Sequence, residues 1–104
     1  IMLRGKNIEN TSGKKLLLDA DWDKLFHLSN AIHGDFITRI KNDFPTLTKH
    51  DIEICCLLRF GIEHEVLGSI FLTETDSVTK AKRRMKKRLN LSASDDLDVF
   101  LLKY

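Results

Sequence analysis

The chain has 104 residues, of which 42% are hydrophobic and 31% are charged, and its formal net charge at pH 7 is +2. This size and composition are typical of one globular domain that buries its own core without disulfides or metals. No apolar run approaches the length of a membrane span, so we expect no membrane contact. With only one proline and five glycines, the chain favours long helices over a many-turned β fold.

The first 18 residues are predicted to be a linker or an N-terminal arm, because Gly5 and Gly13 flank a polar run at 7–12. Within this region the three leucines at 16–18 are compatible with either a short strand or a docked extension. The opening Ile-Met-Leu-Arg-Gly is not typical of a natural N-terminus, so we expect the chain to be a fragment of a longer protein.

Residues 19–44 are predicted to form one long amphipathic helix. Asp19 or Asp21 can cap its start, and it should stop before Phe44-Pro45 because a residue that precedes proline avoids the α region. The aromatic stripe of this helix is equally compatible with burial in the core and with a surface for dimerisation or interdomain packing, so the helix is expected either to pack on the following domain or to dimerise it. Its apolar residues recur near helical spacing at Trp22, Leu25, Phe26, Ile32, Phe36 and Ile40.

Residues 45–104 are predicted to form four more helices, which makes the chain all-α. The first begins at a capping box, Thr48 to Asp51, and ends near Gly61. A short helix follows at about 63–71. A third helix, introduced by a capping-box candidate at 73–76, runs to about 89, where Asn90 can end it in a left-handed conformation. Ser94, Asp95 and Asp96 provide a cap and favourable charges for the last helix.

The third of these helices is unusually basic. Seven Lys or Arg residues fall among the nine residues 80–88, and no acid occurs between Asp76 and Asp95. Removing these seven leaves ten basic residues against fifteen acidic ones, so the rest of the chain carries a net charge of about −5. Positive charge concentrated on an acidic body indicates one local surface that binds a polyanion.

A helical wheel with about 100° per residue separates this segment into two faces. An apolar stripe predicted to be buried lies on one side, and the opposite side is almost wholly cationic. An α-helix fits the major groove of DNA, where Arg and Lys bind guanine edges or phosphates and Thr reaches a base edge, a thymine methyl or a phosphate. The stripe contains Val78, Ala81, Met85 and Leu89, and the polar side contains Thr79, Lys80, Arg83, Arg84, Lys86 and Lys87.

The stretch from Leu47 to Leu89 resembles the LuxR/GerE-type helix-turn-helix family of bacterial transcription regulators. The resemblance is closest to a subgroup with an aromatic-rich helix ahead of the domain, an "FPxLT" entry at 44–48 and a "DLxxFLLK"-like ending at 96–103. The residues that carry it are Leu47-Thr48, Asp51, Ile54, Leu57, Gly61, Ile70, Ser77-Val78 and Lys87-Arg88-Leu89-Asn90-Leu91.

This resemblance implies a four-helix domain that binds double-stranded DNA, often as a homodimer with the last helix at the interface. By position, Thr79, Lys80, Arg83 and Lys87 would contact DNA, and these residues lie on the face that the wheel selects. The predicted function is therefore sequence-specific DNA binding by the output domain of a bacterial regulator. Such a domain can also contact RNA polymerase.

The chain departs from the family at several acids, which keep other functions open. Glu65 stands where the family has lysine, Glu74 stands where it has serine, and Asp76 lies beside the basic face. Like charges near the DNA backbone lower affinity. One alternative is a protein-interaction or dimerisation module with weak or lost DNA binding. A weaker one is a sigma-factor-like module that contacts polymerase.

No catalytic, metal-binding or cofactor-binding pattern is evident in the sequence, nor is a small-molecule site. Cys55 and Cys56 are adjacent, so they cannot readily pair with each other, and they are predicted to be reduced core residues of a cytoplasmic protein. The four histidines form no metal-ligand spacing and are expected at the surface or at caps. Acids at 95, 96 and 98 are explained by the start of the last helix. We expect no enzymatic activity.

Overall fold

The computed structural model describes residues 16–104 and contains six helices and no strand in that range. The prediction of an all-α fold is therefore confirmed. Most of the predicted linker, residues 1–15, lies outside the described residues. The helices are α1 (Asp19–Ile32), α2 (Phe36–Asp43), α3 (Lys49–Arg59), α4 (His64–Ile70), α5 (Thr75–Arg88) and α6 (Leu97–Lys103).

Helix α3 lies at the centre of the fold. Its eight consecutive residues from Asp51 to Leu58 are all buried, and a helix that is buried on every side needs neighbours all round. Helices α1, α2 and α6 pack against it, and α5 packs against α4. The core therefore forms around one short helix whose own sequence is largely apolar.

The predicted single helix over 19–44 is wrong, because the chain forms two helices there. Helix α1 ends at Ile32 and α2 begins at Phe36. Between them Gly34 and Asp35 both adopt left-handed backbone angles, with φ of 62° and 60°. The apolar face therefore changes direction at the break: Phe36 is buried, whereas Ile32 is 59% exposed.

Two side chains hold this break in place. The Asn30 Oδ1 atom accepts hydrogen bonds from the backbone N–H groups of Ile37 (2.8 Å) and Thr38 (3.3 Å), and so caps α2 from within α1. The Arg39 guanidinium donates to the carbonyls of Gly34 (2.8 Å) and His33 (3.2 Å), which the broken helix leaves without partners. These bonds satisfy the polar groups that a helix end exposes.

The predicted capping box at the start of α3 is confirmed. The Asp51 N–H donates to Thr48 Oγ1 at 3.1 Å, and Asp51 Oδ2 accepts from the Thr48 N–H at 2.9 Å. The same Oδ2 atom accepts a second bond, at 2.6 Å, from the Arg88 guanidinium at the end of α5. Because Asp51 is only 2% exposed, this ion pair is a buried link between α3 and α5.

Other helix ends agree only partly with the sequence predictions. Helix α2 stops at Asp43, ahead of Pro45 as expected, and Gly61 (φ 86°) and Asn90 (φ 61°) take the predicted left-handed conformation after α3 and α5. The cap of α6 is Asp96 rather than Ser94, since the Asp96 carboxylate accepts from the Val99 N–H at 3.2 Å. Ser94 lies upstream in the loop.

The two cysteines are core residues, as predicted. Both are fully buried and unpaired. Burial in apolar surroundings raises the pKa of each thiol to about 12, so both stay protonated at neutral pH. A protonated, buried thiol behaves as a small apolar side chain.

Replacing Asp51 with alanine should lower the free energy of unfolding by about 2–4 kcal/mol, because it removes an N-terminal cap and leaves the Arg88 cation without its buried partner. Urea unfolding of the variant measures this. Lys49→Ala is the control: Lys49 is an exposed neighbour whose pair with Asp19 lies in solvent, so the change should stay within about 0.5 kcal/mol. Equal losses in the two variants would contradict the buried link.

The free energy of unfolding should fall as the pH is lowered below about 6.5, in part through His33. Burial, followed by the nearby Arg59 cation, lowers the pKa of His33 in the folded chain, and its ring packs edge-on against Phe60. The unfolded chain therefore binds the proton more tightly. Stability is complete above the unfolded-state pKa and is lost as the pH falls through the folded-state pKa.

Chemical denaturation between pH 7.5 and 5 measures this dependence. The His33→Gln variant, which cannot titrate, should lose less stability over that interval than the parent chain. If the free energy of unfolding falls equally with pH in the two chains, His33 does not contribute to this dependence.

Candidate nucleic-acid interface

Helices α4 and α5 are joined by the four-residue turn Phe71–Glu74, which is the helix–turn–helix order predicted from the sequence. The turn reverses at Leu72, whose φ is 53°. It also passes close to α4, because a Cβ atom added at Gly68 would lie 3.0 Å from the Thr73 carbonyl oxygen. A glycine at position 68 therefore allows the turn to pack tightly against the helix before it.

The predicted apolar stripe of α5 is confirmed. Val78, Ala81 and Met85 are all buried, together with Leu89 directly after the helix. The predicted capping box at 73–76 is absent, however. The N-cap residue is Glu74, and its side chain makes no capping hydrogen bond. Asp76, in the first turn, instead lies 3.5 Å from Lys80 as an exposed ion pair.

Five of the six predicted DNA-binding side chains are exposed on the side of α5 that faces away from the core. The sixth, Lys86, is half-buried, and its Nζ donates to the Ala93 carbonyl in the loop before α6 at 3.2 Å. Lys86 thus lies at the edge of the basic surface. The name outer face of α5 is used below for the five exposed residues, which are Thr79, Lys80, Arg83, Arg84 and Lys87.

Two cations of the basic segment instead form ion pairs that link α5 to other helices. The Lys82 ammonium lies 3.1 Å from an Asp98 carboxylate oxygen, and its side chain is only 14% exposed. Arg88 is paired with the buried Asp51. Within residues 16–104, Arg83, Arg84 and Lys87 have no acidic group within ion-pair distance. The outer face therefore retains three exposed cations whose charge is not offset by an ion pair.

A cleft of about 630 Å³ runs beside this surface, between α5 and the loop that leads into α6. Arg83, Lys86 and Lys87 line one wall, and the acids Asp95 and Asp96 line the other. The acidic wall limits the positive surface on this flank. Three residues of the outer face also border this cleft, namely Thr79, Arg83 and Lys87.

One contact that sequence reasoning missed reaches the outer face from α4. His64, which was expected only at the surface or at a cap, places its Nε2 atom 3.2 Å from Thr79 Oγ1. The same oxygen lies 3.1 Å from the Thr75 carbonyl. A separation of fifteen residues carries no helical periodicity, so no sequence signal could have paired them.

Two of the acids singled out in the sequence, Glu65 and Glu74, are both exposed. Glu65 lies in the first turn of α4, and Glu74 precedes α5. Neither makes an ion pair within the described part of the chain, whereas Asp76 is paired with Lys80. Glu74 and Asp76 therefore lie at the N-terminal end of α5. Arg83 and Lys87, further along the helix, share the cleft with Asp95 and Asp96.

Comparison of the chain with protein-family models, with curated proteins and with solved structures gave no match. None of the helices within residues 16–104 has the length and apolar character that crossing a bilayer requires.

The two kinds of lysine on α5 should respond differently to neutralisation. Lys82→Gln should lower the free energy of unfolding by about 1 kcal/mol, because it breaks a partly buried pair with Asp98 and leaves that carboxylate without its cation. Lys87→Gln, on the exposed side of the same helix, should change it by less than about 0.5 kcal/mol. Thermal or urea unfolding measures both. A larger loss for Lys87→Gln would contradict this division.

Proposed function

We propose that this chain binds double-stranded DNA with sequence preference, as the output domain of a bacterial transcription regulator. The observation that carries the proposal is a set of three cations, Arg83, Arg84 and Lys87, that have no ion-pair partner among residues 16–104 and lie on the outer face of a helix that follows a short turn. A surface helix of ordinary function mixes both signs of charge. The exposed side of this one, beyond its first turn, carries only positive charge.

In this proposal α5 enters the major groove, which is wide enough for one helix. Its N-terminal half would approach the bases, as in other helix-turn-helix proteins, so Thr79 and Arg83 would contact base edges. Lys80, Arg84 and Lys87 would contact phosphates on either side, with Lys86 at the margin. Phosphate contacts give affinity and base contacts give specificity.

The attachment of α5 to the body supports this role. Arg88 is bound to Asp51 of the central helix, and Lys82 is bound to Asp98 of α6. A recognition helix held at both its middle and its end presents its outer side chains in one fixed orientation. Preorganisation of this kind lowers the entropic cost of binding.

Pairing of two copies on DNA is part of the proposal. Val99 and Leu102 of α6 are 44% and 47% exposed, and residues three apart lie on the same side of a helix. A second copy can cover this pair of side chains. Two recognition helices would then read two half-sites about one DNA turn apart, and RNA polymerase would be a further partner of the bound dimer.

A second candidate function is protein interaction through α1 without DNA binding. The observation in its favour is that Leu28 and Ile32, four residues apart on one side of α1, are 48% and 59% exposed. The acids at the N-terminal end of α5 would then have weakened DNA binding. A stable dimer with no retention of duplex DNA at low salt would favour this function over the first.

Binding to duplex DNA should weaken steeply with salt. Contacts with about four phosphates predict a slope near −4 for the logarithm of the binding constant against that of salt concentration, at about 0.9 per contact. Fluorescence anisotropy titrations at several salt concentrations give the binding constants, from which the slope for one bound chain is calculated. A flat response would overturn the proposal.

Two double variants distinguish DNA binding through the outer face of α5 from a general effect of net positive charge. Arg83→Gln combined with Lys87→Gln should lower affinity at least tenfold, at an expected cost of about 1–3 kcal/mol for a lost base contact. The control Lys24→Gln combined with Lys103→Gln removes the same charge from exposed positions on α1 and α6. It should change affinity less than about threefold, since distant exposed charges are screened. Equal losses in both variants would indicate non-specific attraction only.

A further inference from the structure

The hydroxyl group of Thr79 already makes two hydrogen bonds within the protein. Its Oγ1 atom lies 3.1 Å from the carbonyl oxygen of Thr75, one helical turn earlier, and 3.2 Å from His64 Nε2. A carbonyl oxygen can only accept, so the single hydroxyl proton is donated to Thr75. The His64 nitrogen must then carry a hydrogen and donate it to the Thr79 oxygen.

This arrangement decides what Thr79 can offer to a ligand. With its proton committed, the hydroxyl cannot donate to guanine N7 or O6, or to a phosphate oxygen, unless the bond to Thr75 breaks. Two bonds from two helices also fix the side-chain rotamer, since χ1 cannot rotate without losing both. Thr79 is nevertheless exposed on the outer face of α5, and the part of its side chain without a polar partner is the Cγ2 methyl group.

We propose that Thr79 reads DNA through this methyl group, by apolar contact with the C5 methyl of a thymine, and that His64 is the positioning residue that holds it there. The inference rests on the proposed function and specifies the chemistry of one contact. Thymine is the one standard base with a methyl group in the major groove, where threonine methyls make such contacts. The contact would give a preference for thymine over cytosine or uracil at one base of the site.

Two substitutions separate the methyl from the hydroxyl. Thr79→Val retains a methyl group at the same branch and removes the hydroxyl, and a helix holds valine in one χ1 rotamer at about 90% of positions. Thr79→Ser retains the hydroxyl and removes the methyl. Because position 79 is exposed, neither change should unfold the chain, and thermal unfolding of each variant checks this.

The experiment uses the full 104-residue chain. A preferred duplex is first selected from random DNA, and each thymine in it is then replaced singly by uracil, which lacks only the methyl group. The parent chain should lose affinity about three- to tenfold at one of these positions, as expected for an exposed methyl. Thr79→Val should show the same loss at the same position. Thr79→Ser should bind the thymine and uracil duplexes equally.

The role of His64 has its own readout. His64→Leu should reduce the discrimination between thymine and uracil at that position and leave affinity for random duplex at low salt within about twofold. His64→Gln, whose amide can donate to the same oxygen, should restore the discrimination. A uniform loss of affinity for all duplexes in both His64 variants would assign His64 to general binding instead.

The outcomes distinguish this inference from the proposed function. If the parent chain retains no duplex at low salt, both are overturned. If the parent chain binds but is indifferent to uracil at every position, or if Thr79→Ser discriminates and Thr79→Val does not, DNA binding stands and the methyl contact is overturned.

Discussion

The buried carboxylate of Asp51 is the constraint on which the rest of the structure depends. One of its oxygens caps the central helix through the Thr48 N–H and also binds the Arg88 guanidinium. A buried charge is tolerated only where its hydrogen-bonding capacity is met, so Asp51 ties the start of α3 to the end of α5. Helices α1, α2 and α6 pack against α3, so this one side chain links the basic helix to the helix around which the core forms.

The ion pair between Arg88 and Asp51 is one reason why the basic helix does not present free cations on all sides. Arg88 and Lys82 point into the body and meet acids that are 37 and 16 residues away in the sequence. Arg83, Arg84 and Lys87 point outward and meet none within residues 16–104. Of the two remaining bases, Lys80 pairs with the exposed Asp76 and Lys86 donates to the Ala93 carbonyl. The seven bases therefore differ in how far the protein itself uses their charge.

Short-range signals predicted those parts of the fold that depend on neighbouring residues. The Thr48–Asp51 capping box, the helix end before Pro45 and the left-handed Asn90 each need only a few residues of context. The break after Ile32 could not be predicted in this way. Its glycine is visible in the sequence, but the Arg39 bonds that hold the break are made to backbone carbonyls that only a broken helix leaves free.

For the candidate site, the helical wheel predicted which side of α5 is exposed, because a buried stripe at 3.6-residue spacing leaves its opposite side in solvent. The wheel could not predict which contacts other parts of the protein make at the margin of that side. Lys86 turns toward the Ala93 carbonyl, and His64 reaches Thr79 from another helix. Both contacts depend on how α4 and the loop before α6 pack beside α5. Such packing is a property of the tertiary structure and has no local sequence pattern.

The two adjacent free cysteines of the central helix have a practical consequence. Cys55 and Cys56 lie in the most enclosed part of the fold, and burial raises their thiol pKa to about 12. Alkylating reagents and oxidants attack the thiolate, so they can reach these positions only in chains whose centre has opened. The rate at which these thiols are labelled therefore reports how often the folded chain opens globally. A crosslinked dimer formed in air would identify molecules that had already lost their core.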